Sequence, residues 1–410
     1  MQQELTAAER RRGLIVMLAD TFLMWSGFFM VIPLISVHYV DGLGWQAAAI
    51  GMVLAIRQVL QQGLSLFGGA LADRLGTRGL ICIGMAIRTL SFVAMAFADT
   101  LPLLWLAAIL AALGGAFFES PSSAAVAALT QQADRSRYFA ILGVVRGLGL
   151  SIGPLAGALL LRVDFSWVAM AAACCFCIAV VITVIFMPDV QVASERRGFT
   201  DGIGMALRDR RFMALTLLLM GYWFMWVQLT LALPLEATAV SGTTDAVSWI
   251  YVLNSVMSIV LQYPLIRLSE RFLRPLPLLA LGVALMAAGL GLISLAALSA
   301  NIGMLLGCVA VFSLGALLAT PSQQTVAAEL ANPAALGSYF GVNALALALG
   351  GGIGNYVGGL LYGLGKQLAM PALPWLVFGC VGLSSAIGLA LLNRRLRSAQ
   401  AAPGRPTVAE

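Results

Sequence analysis

The chain has 410 residues, 60% of them hydrophobic and only 10% charged, with a net charge of +6. A soluble domain carries about 25% charged residues, so this composition excludes a soluble globule. Apolar runs of roughly 20 residues, the length of a bilayer-spanning helix, recur along the whole sequence.

These runs predict twelve helices, at about 14–38, 46–71, 80–98, 102–129, 138–161, 166–187, 212–236, 247–266, 276–298, 302–328, 338–362 and 374–392. They are continuous rather than alternating, which fits helices and not barrel strands. Of the 24 Lys+Arg, 19 fall in the termini and the even-numbered loops. The positive-inside rule therefore expects both termini in the cytoplasm. The basic excess is topological and gives no support to nucleic-acid binding. The basic start runs into the first span without a small-residue cleavage site, so that span is expected to be retained. Five of the six cysteines lie within spans in no metal-ligand pattern and read as small core residues.

Helix 1 carries Asp20, the aromatics Trp25, Phe28 and Phe29, and near its far end His38, an interfacial polar residue. Helix 2 places Arg57, Gln58, Gln61 and Gln62 on one face at mid-membrane. That face either lines a cavity or bonds across to helix 11, and the residues alone leave both open. Between helices 2 and 3, Gly69, Asp73, Arg74, Gly76 and Arg78 crowd a short hydrophilic loop. Its glycines permit a sharp turn, and Asp73 can cap a helix or pair with an arginine.

Helices 3, 4 and 5 contribute Arg88, Glu119 and Arg146. At ~1.5 Å per residue, Asp20, Arg88, Glu119 and Arg146 share one layer roughly 12–18 Å from the even-loop end, with Arg57 deeper. A charge at the bilayer centre costs at least ~2.5–3.5 kcal/mol, so each needs a partner or a wet cavity. The layer is either structural, its acids and arginines neutralising one another, or functional. Asp20 and Glu119 are the better functional candidates, since a carboxylate facing a partly dry cavity can exchange a proton near neutral pH. Gly149, Gly153 and Gly157 line one face of helix 5 for close packing, and Pro154 removes a backbone hydrogen bond and bends it.

The polar segment 188–211 follows six spans and reads as a linker, with a surface helix from Thr200 to Arg211 whose apolar content is Ile203, Met205 and Leu207. It separates a first bundle, 1–187, from a second, 212–410. Helix 7 adds Tyr222 and Trp226, which with Trp25, Phe29, Gln58 and Gln61 are candidates for the substrate cavity.

The halves repeat. Gly115-Ala116, Pro121-Ser122 and Val126-Ala127-Ala128 recur 200 residues later, and Gly149, Gly153 and Gly157 recur as Gly350, Gly354 and Gly358. Two parallel six-helix repeats with a site between them near mid-membrane is a transporter architecture. The Gly-x-x-x-x-Gly-Lys of a nucleotide site is absent, as are metal-binding His/Cys clusters, which argues against a pump or an enzyme.

The 69–78 segment resembles the signature loop of the major facilitator superfamily, and the helix 5 glycine motif resembles that of its drug:proton antiporter branch. Essentially the whole chain is similar to the bacterial multidrug exporters of that branch. The resemblance implies an all-α integral membrane fold of twelve helices in two pseudo-symmetric bundles. It implies a monomer of the bacterial inner membrane that exports lipophilic or cationic small molecules against protons, driven by the proton gradient without a cofactor. Uptake or export of a specific metabolite by the same fold is the alternative. It also implies that Asp73 pairs with a neighbouring arginine to close the cytoplasmic side. Two departures stand out: Leu110 and Ala111 occupy the place of an expected helix 4 arginine, and the mid-helix proline Pro321 has uncharged neighbours.

Overall fold

The computed structural model describes residues 6–130, 135–188, 199–269, 272–332 and 335–401. Within these, the side chains of 66–75, 120, 135–137, 139–140, 199–202, 263, 266–269, 336–337 and 399–401 lie outside the description. Among the described residues twelve helices are long and apolar enough to cross a membrane.

Helix 1 (Ala7–Gly42) starts at a capping box, in which Glu9 N–H donates to Thr6 Oγ1 at 3.2 Å and Thr6 N–H donates to Glu9 at 2.9 Å. Helices 2 to 6 run Ala47–Leu75, Thr77–Ala96, Leu101–Leu129, Arg135–Leu161 and Phe165–Phe186. After the linker, helices 7 to 10 span Arg210–Ser241, Asp245–Ser269, Pro275–Ser299 and Ile302–Leu330. Helix 11 is built from Leu336–Leu345, a widened turn Ala346–Gly351, and Gly352–Gln367, and helix 12 is Leu373–Ala401.

The two halves pack alike. Helix 1 lies on helices 5 and 6, helix 3 on helices 4 and 6, and helix 2 on helix 4. Helix 7 lies on helices 11 and 12, helix 9 on helices 10 and 12, and helix 8 on helix 10. The glycines enforce this. A Cβ on Gly149 or Gly153 would strike the backbone of Ser26 on helix 1, and one on Gly350 or Gly354 that of Met220 or Phe224 on helix 7. Between the halves, helix 2 meets helix 11 and helix 5 meets helix 8. At the odd-loop end the halves are joined by Thr238 donating to Asp41 at 2.7 Å and by the Arg162–Asp245 ion pair at 2.9 Å.

Several expectations shift. The stretch 69–75 is not loop but the last turns of helix 2, and the turn is Gly76 alone, at φ 77°. The linker helix is Phe199–Arg208, ending early because Asp209 caps helix 7 through Arg211 N–H and Phe212 N–H. Its buried residue is Ala206, while Met205 and Leu207 are exposed. The cysteines are not core residues as a group, since Cys174, Cys177 and Cys380 face outward and only Cys308 is buried.

Helix 7 also runs on past 236 to Ser241, but it is broken. Pro234 lacks the N–H that would bond Thr230. The helix tightens over Val227–Leu229 and restarts at Ala232. At the break the Leu229 carbonyl accepts the Tyr251 hydroxyl at 2.6 Å, which satisfies a backbone group inside a membrane.

Candidate functional site

Helices 2, 3, 4 and 5 bring Arg57, Arg88, Arg146 and Glu119 into one electrostatic neighbourhood, each arginine feeling the Glu119 carboxylate. Neutralisation by ion pairs is not what joins them. The one described ion pair in the chain is Arg162–Asp245, so none of these arginines lies within 4 Å of a described carboxylate.

A hydrogen-bonded relay takes the place of the pairs. Arg57 Nη1 donates to Gln61 Oε1 at 2.9 Å, and Gln61 Nε2 donates to Glu119 at 2.8 Å. Arg57 Nη2 also donates to Gln58 at 3.2 Å. The polar face of helix 2 is thus spent on the first half's own charges, while the Gln58 stem also packs beside Gly351 of helix 11.

The guanidinium groups rest on rings. Arg57 and Arg88 lie 5.1 and 4.9 Å from the Phe28 centroid, and Arg88 lies 5.7 Å from Phe176. Arg146 sits 4.7 Å from Trp25, which stacks on Phe29 at 5.5 Å. Such contacts are worth ~0.5–2 kcal/mol each, below the cost of a buried ion, so the layer keeps charge in reserve. Arg57 and Arg88 are both buried, each with an unbonded Nε. Room for the Arg88 head comes from Gly115, where a Cβ would overlap it.

Asp20 stands apart from this group. It is fully buried against helix 6, where Thr183 donates to it at 2.6 Å while its other oxygen has no partner. The expected common layer does not bring common contact: on helix 1, Asp20 is turned about 140° from Trp25.

The remaining candidates divide. Tyr222 is buried and bonded to Thr320 of helix 10 at 2.9 Å, and Trp226 packs edge-on against Trp223. Gly149, Gly153 and Gly157 seat helix 5 on helix 1, with Pro154 between them inside the helix. Arg78 donates to the Val184 carbonyl of helix 6. The side chains of Asp73 and Arg74 lie outside the description, and Gly69 is described only as part of helix 2. His38 stacks on Phe165 at 4.2 Å near the odd-loop end. Phe28 was visible in the sequence but its place between two arginines was not. Thr183 carried no signal beyond residue type, and Gly115 was legible as part of the repeat but not as room for Arg88.

The Major Facilitator Superfamily pattern matches residues 18–244 and 224–409, once for each half. The chain belongs to the major facilitator superfamily. It is a multi-pass membrane transporter by family. It is 39% identical over 385 residues to the multidrug resistance protein MdtH of Photorhabdus laumondii, covering 94% of this chain and 95% of that one. MdtH of Yersinia enterocolitica is 38% identical, covering 96% and 98%, and MdtH of Sodalis glossinidius is 40% identical, covering 93% of each. Among solved structures, a POT family transporter in complex with a thioalcohol-conjugated peptide superposes with a TM-score of 0.78 at 16% identity, covering 94% and 96%. The human organic anion transporter MFSD10 gives 0.66 at 18% identity, covering 93% and 99%. These structural likenesses speak to the fold alone.

Proposed function

We propose that this transporter exports lipophilic or cationic small molecules across the bacterial inner membrane in exchange for protons. Both termini face the cytoplasm, on the arginine bias of the loops. The halves, 1–187 and 212–410, rock about the 2–11 and 5–8 contacts as a monomer, with the proton gradient as the sole energy source. The name multidrug resistance protein, borne by relatives that align over nearly the full chain, supports the drug class.

The observation that carries the coupling is Glu119. It is a half-buried carboxylate, held by the Gln61 amide and surrounded by three arginines, with no ion pair within 4 Å. Gaining or losing a proton there changes the field at Arg57, Arg88 and Arg146 together, on helices 2, 3 and 5. Asp20, the second coupling candidate, exchanges its proton separately, at the helix 1–helix 6 contact beside Thr183. Gly69, Asp73, Arg74, Gly76 and Arg78 are assigned to closing the cytoplasmic side, and Gly149, Gly153, Pro154 and Gly157 to the helix 1–helix 5 contact.

A second reading draws on the same layer. Three arginines against one glutamate leave it positive, which suits transport of a specific anionic or zwitterionic metabolite. Everted vesicles energised to an acid interior separate the two. Proton release on adding lipophilic cations supports drug exchange, whereas silence to the cations and release on adding organic anions supports the metabolite reading.

A further inference from the structure

The second half holds a buried acid that the coupling layer does not use. Glu236 lies just past the helix 7 break and is 5% exposed. It forms part of the wall of a cavity of about 480 Å³ at the odd-loop end. The cavity is lined by residues of helices 1, 7 and 11 and of the 7–8, 9–10 and 11–12 connections, including Val37, Asp41, Thr238, Tyr362 and Lys366. That volume is within the range of pockets that enclose drug-sized ligands.

The polar lining is specific. Trp375 Nε1 donates to one Glu236 oxygen at 3.2 Å, which orients the carboxylate without neutralising it. The charged and titratable groups around it are Asp41 on helix 1 and Tyr362 and Lys366 on helix 11. Asp41 and Lys366 are exposed at the rim, and no described cation lies within 4 Å of either acid. Asp41 is itself held by the Thr238 hydroxyl of helix 7. A carboxylate so deeply buried is costly unless a proton or a cation compensates it. Val37, Val240, Ala297, Pro371 and Pro374 supply the apolar wall, beside Thr243 and Thr244 of the 7–8 connection.

We infer that this cavity is a second binding station, at the periplasmic face, for an aromatic or aliphatic ammonium ion whose charged head pairs with Glu236. Its body lies against the apolar wall, and Thr238 and Tyr362 offer acceptor oxygens to the remaining ammonium protons. Because Asp41 and Thr238 come from opposite halves, opening the halves at this end dismantles the station and frees its occupant. Calling it the exit station rests on the orientation and export direction proposed above.

The test uses the full-length protein in lipid nanodiscs and a matched pair of probes, 4-phenylbenzylamine and uncharged 4-phenylbenzyl alcohol. A hydrophobic carbodiimide modifies buried protonated carboxylates, and mass spectrometry of the peptide carrying Glu236 reads the yield. Glu236 is expected to be modified, to be protected by the amine and not by the alcohol, and to stay protected in Glu119→Gln. In Glu236→Gln, amine binding at this station is expected to weaken roughly tenfold or more, with alcohol binding unchanged. Absent modification, or equal protection by both probes, overturns the assignment. Protection without drug/proton exchange in vesicles leaves the station standing and removes the export reading; exchange without protection does the reverse.

Discussion

The side-chain amide of Gln61 lies 2.8 Å from the Glu119 carboxylate and bridges it to Arg57, so that a neutral residue joins two charges that do not touch. Replacing the bridge by Gln61→Leu leaves a buried guanidinium and a carboxylate each short of a partner, at ~1–3 kcal/mol per group. Transport is expected to fall about tenfold or more with the protein still in the membrane, while Gln61→Glu creates a direct pair with Arg57 and locks the layer. Initial rates in vesicles, normalised to protein amount, check both.

Arg88 has an uncharged counterpart. Gly84 and Gly114 hold helices 3 and 4 together beneath Arg88, as Gly282 and Gly315 do for helices 9 and 10 beneath Met286. Arg88→Met is therefore compatible with the packing, and it removes the desolvation cost of a buried guanidinium that no ion pair offsets. The variant is expected to fold at least as well as the parent and to transport poorly. A thermal shift with a parallel transport assay checks this; a large loss of stability with normal transport contradicts it.

Helix 5 contains its own control. A Cβ on Gly153 would lie 2.5 Å from the Ser26 carbonyl, whereas one on Gly143 or Gly147 meets nothing within 4 Å. Gly153→Ala is expected to cost ~1–3 kcal/mol through forced separation of helices 1 and 5. Gly147→Ala is expected to be neutral or to stabilise by up to ~1 kcal/mol. Unfolding in detergent by a denaturant series measures the difference.

The Arg162–Asp245 pair joins the two halves but is 59% and 43% exposed, so its stabilisation is of order 0–1 kcal/mol. Asp245→Asn is expected to leave stability unchanged within that range. Because the pair exists only while the odd-loop end is closed, losing ~1 kcal/mol raises the open population by about fivefold. Spin-label distances between the far ends of helices 5 and 8 report it, and added salt should mimic the mutation in the parent.

Much of this was legible in the sequence, for identifiable reasons. The twelve spans follow from apolar length, and the close-packing faces of helices 5 and 11 follow from glycines repeated at equal spacing, though not the helices 1 and 7 that they meet. Rotation about the helix axes was not legible. Asp20 and Glu119 were expected in one layer, yet Asp20 meets Thr183 on helix 6 while Glu119 meets Gln61 on helix 2. Glu236 was expected as the last residue of the 212–236 span; the helix instead breaks before Ala232, bonds Tyr251 to the Leu229 carbonyl and continues to Ser241. The arginines called for carboxylate partners by charge alone, whereas Phe28, Phe176 and Trp25 supply ring faces that no charge count contains.

The central claim is that Glu119 couples proton movement to transport. The direct measurement is substrate-induced proton release from acid-loaded everted vesicles carrying Glu119→Gln, beside Asp20→Asn and the parent at equal protein amounts. The account predicts that Glu119→Gln abolishes release while still binding the substrate. Full release in Glu119→Gln contradicts it, and its loss in Asp20→Asn alone moves the coupling carboxylate to helix 1.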